Sequence, residues 1–233
     1  MTVPGPGLHV NLLSALGMRL VTGDLRPGQV LTLEQIAEEY GVSRPVAREA
    51  VRVLQSMGML ASRRRVGVTV LARTEWNVFD PRLIRWRLDS DDRAAQLLSL
   101  SELRRGFEPV AAGLAAERAT PEQCRTLAGA ASDMLVLGRA GDLEAYLRAD
   151  LVFHHTLLEA SGNEMLQAMA EVVTQVLAGR THHGLMPSTP NPQAIALHEA
   201  VAQAVRSQDV AGAEVAMREI IDESAAAMRA EFG

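Results

Sequence analysis

Apolar residues at positions 8, 12, 13, 16 and 20 recur at helical spacing and predict an amphipathic helix over residues 8–21. Gly23-Asp24 stops it, and Arg26-Pro27-Gly28 is turn chemistry. Thr32 followed by Gln35 is a capping-box signature and predicts a short helix over residues 33–40, with Leu33, Ile36 and Ala37 inward. Gly41 suits the left-handed position that ends that helix. Ser43 stands where it would cap a second helix reaching about Met57, which Gly58 closes. Residues 59–71 alternate loosely and are rich in Val and Thr, a strand pair with Arg63-Arg64-Arg65 and Gly67 near its tip. Residues 73–92 hold both tryptophans, Trp76 and Trp86, and are expected to form a linker docked against the second module. From residue 93 the pattern is helical almost throughout. Breaks fall at residues 120–121, 138–142, 161–163, 184–192 and 207–209, which predicts about six helices in an antiparallel bundle. The expected fold is mainly α: a winged helix-turn-helix over residues 1–72, a linker over 73–92, and an all-α antiparallel helical bundle over 93–233.

Composition sharpens this division. The hydrophobic fraction is 48% but only 3% of residues are aromatic, so the core is built from Leu, Val, Ala, Ile and Met. The net charge of −5 argues at first against a nucleic-acid partner. Its distribution argues the other way: residues 1–72 carry +3 and the remainder −8. Between Ser43 and Arg65 there are six arginines and one acid, Glu49. The chain has no lysine, so every fixed side-chain cation is a guanidinium. A local basic patch of this kind is what phosphate binding requires, and the whole-chain charge hides it. The single cysteine, Cys124, permits no disulfide within one chain, which suits a reducing compartment. The N-terminus lacks signal-peptide layout and no stretch is apolar enough to span a bilayer, so a cytoplasmic protein with no membrane partner is expected.

The second helix of the N-terminal module carries the recognition chemistry. Arg44, Arg48 and Arg52 lie at i, i+4 and i+8 and form one stripe. Val46, Ala50, Val53, Leu54 and Met57 occupy the other side. Such a helix fits the major groove of double-stranded DNA, where a guanidinium grips phosphates or pairs with guanine O6 and N7. Ser43 and the helix N-terminus offer further phosphate contacts. Arg63, Arg64 and Arg65 would lie on the wing. A solvated surface face is the plain alternative for the stripe alone; the turn architecture and the basic wing argue against it.

These residues resemble a known family. The run Gly41-Val42-Ser43-Arg44-Pro45-Val46-Ala47-Arg48-Glu49-Ala50, then Leu54, Gly58-Met59-Leu60 and Gly67, looks like the GntR family of bacterial transcription regulators. That family commonly reads G-V-S-R-x-P-V-R-E-A-L. Here Pro45 comes one residue early, Thr32-Leu33-Glu34 replaces the usual P-S-E, and Arg65 stands where a wing glycine is common.

In the second half, Asp150 and His154 share a helix face, a half-site for a divalent metal such as zinc or, equally, a hydrogen-bonded structural pair. His155 must point elsewhere and reads as a surface residue. Met134, Met165, Met169 and Met217 read as core filler, and Asn163 as a turn-stabilising residue. The segments Ser101 to Pro109, Asp150 to His154, Ala160 to Asn163 and His198-Glu199 are similar to the FCD effector domain of the FadR-type GntR branch. That resemblance implies a divalent metal held by Asp150, His154 and His198. The fourth ligand common in that domain would fall at residue 220, which is an isoleucine. The linker residues Glu75 to Pro81 and Ile84-Arg85-Trp86 resemble a sub-group that includes a repressor of a sugar-acid operon. A small organic acid effector, a sugar acid, is therefore implied. Arg104 would pair with its carboxylate, or else with Glu108 on its own helix. Arg180, Thr181, His182 and His183, where a helix meets the Pro-rich loop, offer further polar contacts.

The function expected is an effector-modulated transcription regulator, a repressor, acting as a homodimer on a near-palindromic operator. The rivals are a metal-dependent enzyme using Asp150 and His154, and a metabolite sensor that binds no DNA. No His-Glu-x-x-His, Gly-x-Ser-x-Gly, phosphate-cradling glycine loop or paired cysteine occurs, so no enzyme is expected.

Overall fold

The computed structural model describes residues 6–63 and 66–232 and divides into two compact units, Met1–Arg93 and Ala94–Gly233. In the first unit α1 (Pro6–Thr22) leads to β1 (Val30–Leu31), α2 (Leu33–Glu39), α3 (Arg44–Ser56), β2 (Leu60–Arg63) and β3 (Gly67–Val70). A 3-10 turn (Arg73–Glu75) and α4 (Pro81–Leu88) complete it. The capping box at Thr32 is formed: its hydroxyl accepts from Gln35 N at 3.1 Å and Gln35 Oε1 accepts from Thr32 N at 2.9 Å. Gly41 takes the left-handed conformation, φ 61°, so the chain turns at once into α3. Leu12, Leu16, Leu20, Ile36, Ala47, Ala50, Leu54 and Met57 form the core that locks α1, α2 and α3 together.

The strands make an antiparallel sheet in the order β1-β3-β2, with Leu60 opposite Val70 and Arg63 opposite Gly67. The hairpin is the expected wing. The sequence gives no signal for β1, because two residues, Val30 and Leu31, are too short for an alternating pattern; they pair through Thr69 and Val68 of β3.

The segment 73–92 differs from its expected role. Trp76, Leu83 and Trp86 belong to the core of the first unit. The Trp86 ring lies over Gly17 of α1, where a built Cβ would fall 2.4 Å from it. Residues 76–88 thicken the first unit, and α4 is an integral helix of it. Its start is set by Asp80, whose carboxylate accepts from Arg82 N at 2.9 Å, followed by Pro81 at the first helical position.

The second unit is all helical: α5 (Arg93–Arg118), α6 (Pro121–Ala140), α7 (Leu143–Ala160), α8 (Glu164–Gln167), α9 (Ala170–His182), α10 (Pro192–Arg206) and α11 (Val210–Phe232). The expected breaks separate these helices, and α6 opens with a capping box at Thr120 and Gln123. Seven helices replace the expected six, because the chain also breaks between Ala168 and Met169, where no glycine or proline marks it. Leu127, Met134, Phe153, Leu157, Val201, Met217 and Ile221 are at most 1% exposed and form the centre of the bundle. Met165, expected in the core, is 72% exposed at the head of α8; Met169 packs on a smaller cluster around Val173. Asn163 does cap the turn, accepting from Met165 N at 3.0 Å. Among the described residues no helix is long and apolar enough to cross a membrane.

Candidate DNA-binding surface and effector pocket

On α3, Arg44, Arg48 and Arg52 are all exposed, while Ala47, Ala50, Val51 and Leu54 face the core. The apolar side is thus turned slightly from expectation, with Val46 and Val53 only half-buried. Ser43 holds the N-cap position with extended backbone, φ −72° and ψ 152°, but its side chain makes no cap hydrogen bond. Its hydroxyl is left available rather than used for capping. Arg44 is paired with Glu34 of α2, both more than half exposed. A surface pair of this kind contributes about 0–1 kcal/mol and yields readily to a phosphate. Arg63 is exposed at the end of β2; Arg64 and Arg65 lie outside the described residues. Gln55 Nε2 of α3 donates to Ser62 Oγ of β2 at 2.8 Å, which ties the wing to the helix it flanks.

In the second unit one cavity of about 60 Å³ gathers the remaining predicted residues: Arg104, Asp150, His154, Arg180 and His198 all line it. This is several times the ~10–15 Å³ that a single water requires. Thr181, His182 and His183 are not among its lining residues. Thr181 instead bonds back to Leu177 O at 3.2 Å, and His182 faces Glu144 at 3.4 Å on the surface.

Asp150, His154 and His198 bring one ligand atom each within 4.8 Å of the others, and all three are buried. Their orientations are set from behind. His154 Nδ1 lies 2.6 Å from a Glu108 carboxylate oxygen, and His198 Nδ1 lies 2.7 Å from Ala194 O. When each Nδ1–H donates to these acceptors, both Nε2 lone pairs point at Asp150 Oδ1, 3.3 and 3.4 Å away. Asp150 Oδ1 and His198 Nε2 have no hydrogen-bond partner. Three converging acceptors with imidazoles oriented from behind by a carboxylate and a carbonyl are the donor set of a divalent metal site, and the residues present fit one.

Glu108 is itself fully buried. Burial pushes its carboxyl up, but Arg104 and His154 outweigh this and hold it at about 2. Arg104 donates through Nε to Glu108 Oε1 at 2.5 Å and through Nη2 to Oε2 at 3.3 Å. Of the two readings of Arg104, the salt bridge on its own helix is the one seen, and its side chain also forms part of the cavity wall. Without a cation, burial opposes protonation of His154, but Glu108 and Asp150 prevail and raise it to about 9. Metal binding here would release that proton. Ile220 lines the cavity with an apolar side chain that offers no ligand atom. Arg180 is lowered by burial and by the nearby Arg104. His155, expected at the surface, is half-buried with Nε2 2.8 Å from Thr174 Oγ1. Tyr146, Asn191, Glu223 and Ser224 also line the cavity and carried no sequence signal.

A winged helix-turn-helix followed by a helical bundle around a buried polar cavity is the architecture of a transcription regulator with an effector domain. Residues 9–70 match the family described as "Bacterial regulatory proteins, gntR family" and residues 99–223 match the "FCD domain". The chain belongs to the GntR family, in its FadR-type branch, and is a transcription regulator rather than an enzyme. It is 30% identical over 215 residues to the galactonate operon transcriptional repressor of Escherichia coli (strain K12), covering 91% of this chain and 93% of that protein. It is 32% identical over 204 residues to the putative L-lactate dehydrogenase operon regulatory protein of the same organism, covering 83% and 76%. The solved structure of E. coli McbR/YncC shares the fold with a TM-score of 0.56 at 20% identity, over 100% of both chains.

Proposed function

We propose that this protein is a metal-assisted, acid-responsive repressor. The observation that carries the reading is the convergence of Asp150, His154 and His198, whose ligand atoms lie within 4.8 Å of one another, on a cavity that also presents Arg104 and Arg180. Asp150, His154 and His198 would hold a divalent ion, zinc or similar, whose chemistry when bound is Lewis-acid attraction of a carboxylate and an adjacent hydroxyl. Glu108 orients His154, and Arg104 keeps Glu108 ionised. Arg180 adds a second guanidinium that can donate to the effector's polar groups. The class of effector this suits is a hydroxy acid, a sugar acid, in line with the galactonate operon named for one relative.

The DNA side rests on the exposed stripe of Arg44, Arg48 and Arg52 with Ser43 and the basic wing, Arg63, Arg64 and Arg65. A homodimer would place two α3 helices in successive major grooves of a pseudo-palindromic operator. The effector acts through its differential affinity for the DNA-bound and free states. Residues 76–88 are part of the first unit, and the chain passes into the second beyond α4, after Arg93. There Asp92 is held by Arg73 at 2.8 Å, and Arg93 Nε donates to Leu88 O at 2.6 Å.

The test is binding of purified, zinc-loaded protein to the DNA upstream of its own gene, followed by titration of hydroxy and sugar acids. Salt-sensitive binding that an acid releases supports the reading. Tight binding unaffected by every acid in the series, with no metal retained on purification, would overturn it.

A further inference from the structure

Several hydroxyls on the helices of the second unit are satisfied by the backbone of their own helix. Ser101 bonds to Leu97 O at 2.8 Å, Thr174 to Ala170 O at 3.0 Å and Thr181 to Leu177 O at 3.2 Å, each the carbonyl four residues back. Ser224 on α11 departs from this habit. It is 3% exposed, it lines the cavity, and its Oγ has no hydrogen-bond partner. Arg180 on α9 lines the same cavity, and its Nε is likewise buried and unpaired. A buried donor left unsatisfied is costly and persists where a ligand completes it.

Ser224 and Arg180 supply none of the three converging ligand atoms, and they reach the cavity from other helices, α11 and α9. The cavity therefore carries two sets of polar groups: the three ligand atoms, and a buried hydroxyl and guanidinium nitrogen without a partner.

We infer that Ser224 and Arg180 form a hydroxyl-reading pair in the pocket, which selects acids bearing hydroxyl groups beyond the chelating carbons over their deoxy counterparts. This rests on the metal-anchored reading above and adds to it a residue that sets specificity. An acid with a carboxylate and 2-hydroxyl alone uses those groups on the metal and leaves the buried atoms of this pair unpaired. Sites built to hydrogen-bond a substrate hydroxyl reject the analogue lacking it far more strongly than apolar pockets reject a missing methylene.

The experiment compares 2,3,4-trihydroxybutanoate with 2-hydroxybutanoate by calorimetric titration into the zinc-loaded full-length protein. The wild type is expected to favour the trihydroxy acid by about 10-fold or more. Ser224→Ala is expected to bring that ratio close to one, with affinity for 2-hydroxybutanoate and zinc content unchanged. Arg180→Gln supplies a second variant, with the same direction of change in the ratio. Because the alanine removes an unsatisfied hydroxyl, the ligand-free Tm of Ser224→Ala should hold or rise, whereas a serine with a purely structural role would lower it. An unchanged ratio in Ser224→Ala, or a wild type that prefers the deoxy acid, would overturn the hydroxyl-reading pair while leaving the metal-anchored reading standing. Binding of neither acid by a protein that retains no zinc would remove that reading and this proposal with it.

Discussion

Glu108 illustrates how much of this molecule's chemistry is decided by single buried contacts. It holds no position in the cavity's ligand set, yet it fixes the tautomer of His154 and is kept ionised by Arg104. Glu108→Gln keeps the shape and removes the charge; zinc affinity is expected to fall about 10- to 100-fold with one-to-one stoichiometry at saturation. Competition with a chromophoric chelator measures this, and an unchanged affinity would show that Glu108 does not orient the ligand. Residues at this scale were unevenly legible. Asp150 and His154 follow from i, i+4 spacing alone, and His198 from the resemblance. Arg104 and Glu108 are one turn apart, so their pairing is readable as one of two possibilities, and it is the one the structure shows. Ser224 was invisible because a lone serine in an amphipathic helix has no signature; only its burial and its missing partner distinguish it. His155 and Met165 were misjudged for the same reason: adjacency on a helix tells which way a side chain points, not what packs on it.

The elements that could be read in advance are those whose ends are set by local chemistry. The capping boxes at Thr32 and Thr120 and the left-handed glycines at 41, 58 and 141 bound their helices through contacts within a few residues. What escaped depends on distant partners: β1 exists only because β3 offers it a ladder, and α4 is fastened by the fit of Trp86 onto Gly17, far away in sequence. The break at residues 168–169 lacks any local marker. The stripe on α3 belongs to this scale too, because three arginines act together only when one helix aligns them. Replacing Arg44 and Arg48 together with alanine is expected to abolish specific operator binding and, where both contact phosphate, to reduce the slope of log K against log salt by about two. Filter binding across a salt series reads this directly. Retained specific binding would move the recognition surface away from α3. Ala47 and Val51 face the core, so the exposed substitutions leave its packing unchanged.

At the scale of the whole molecule, opposite charge and separate cores give the two units distinct tasks: a basic module for an anionic polymer and an acidic bundle around a buried cavity. A bound ion stabilises the folded state by mass action. Chelation is therefore expected to lower the Tm and to remove the stabilisation that a hydroxy acid confers; differential scanning fluorimetry with an extrinsic dye follows both. If an acid stabilises the chelated protein as fully as the metal-loaded one, the anchor is not the metal. The division also has an optical consequence. Both tryptophans of the chain, Trp76 at 8% and Trp86 at 5% exposure, are buried in the first unit, whereas the cavity lies wholly in the second. Intrinsic emission excited at the red edge of indole absorption is thus a native reporter of the DNA-binding module alone. A change in that emission on adding an acid is a signal that has crossed the joint after α4, and its size measures the communication between ligand and operator without any label.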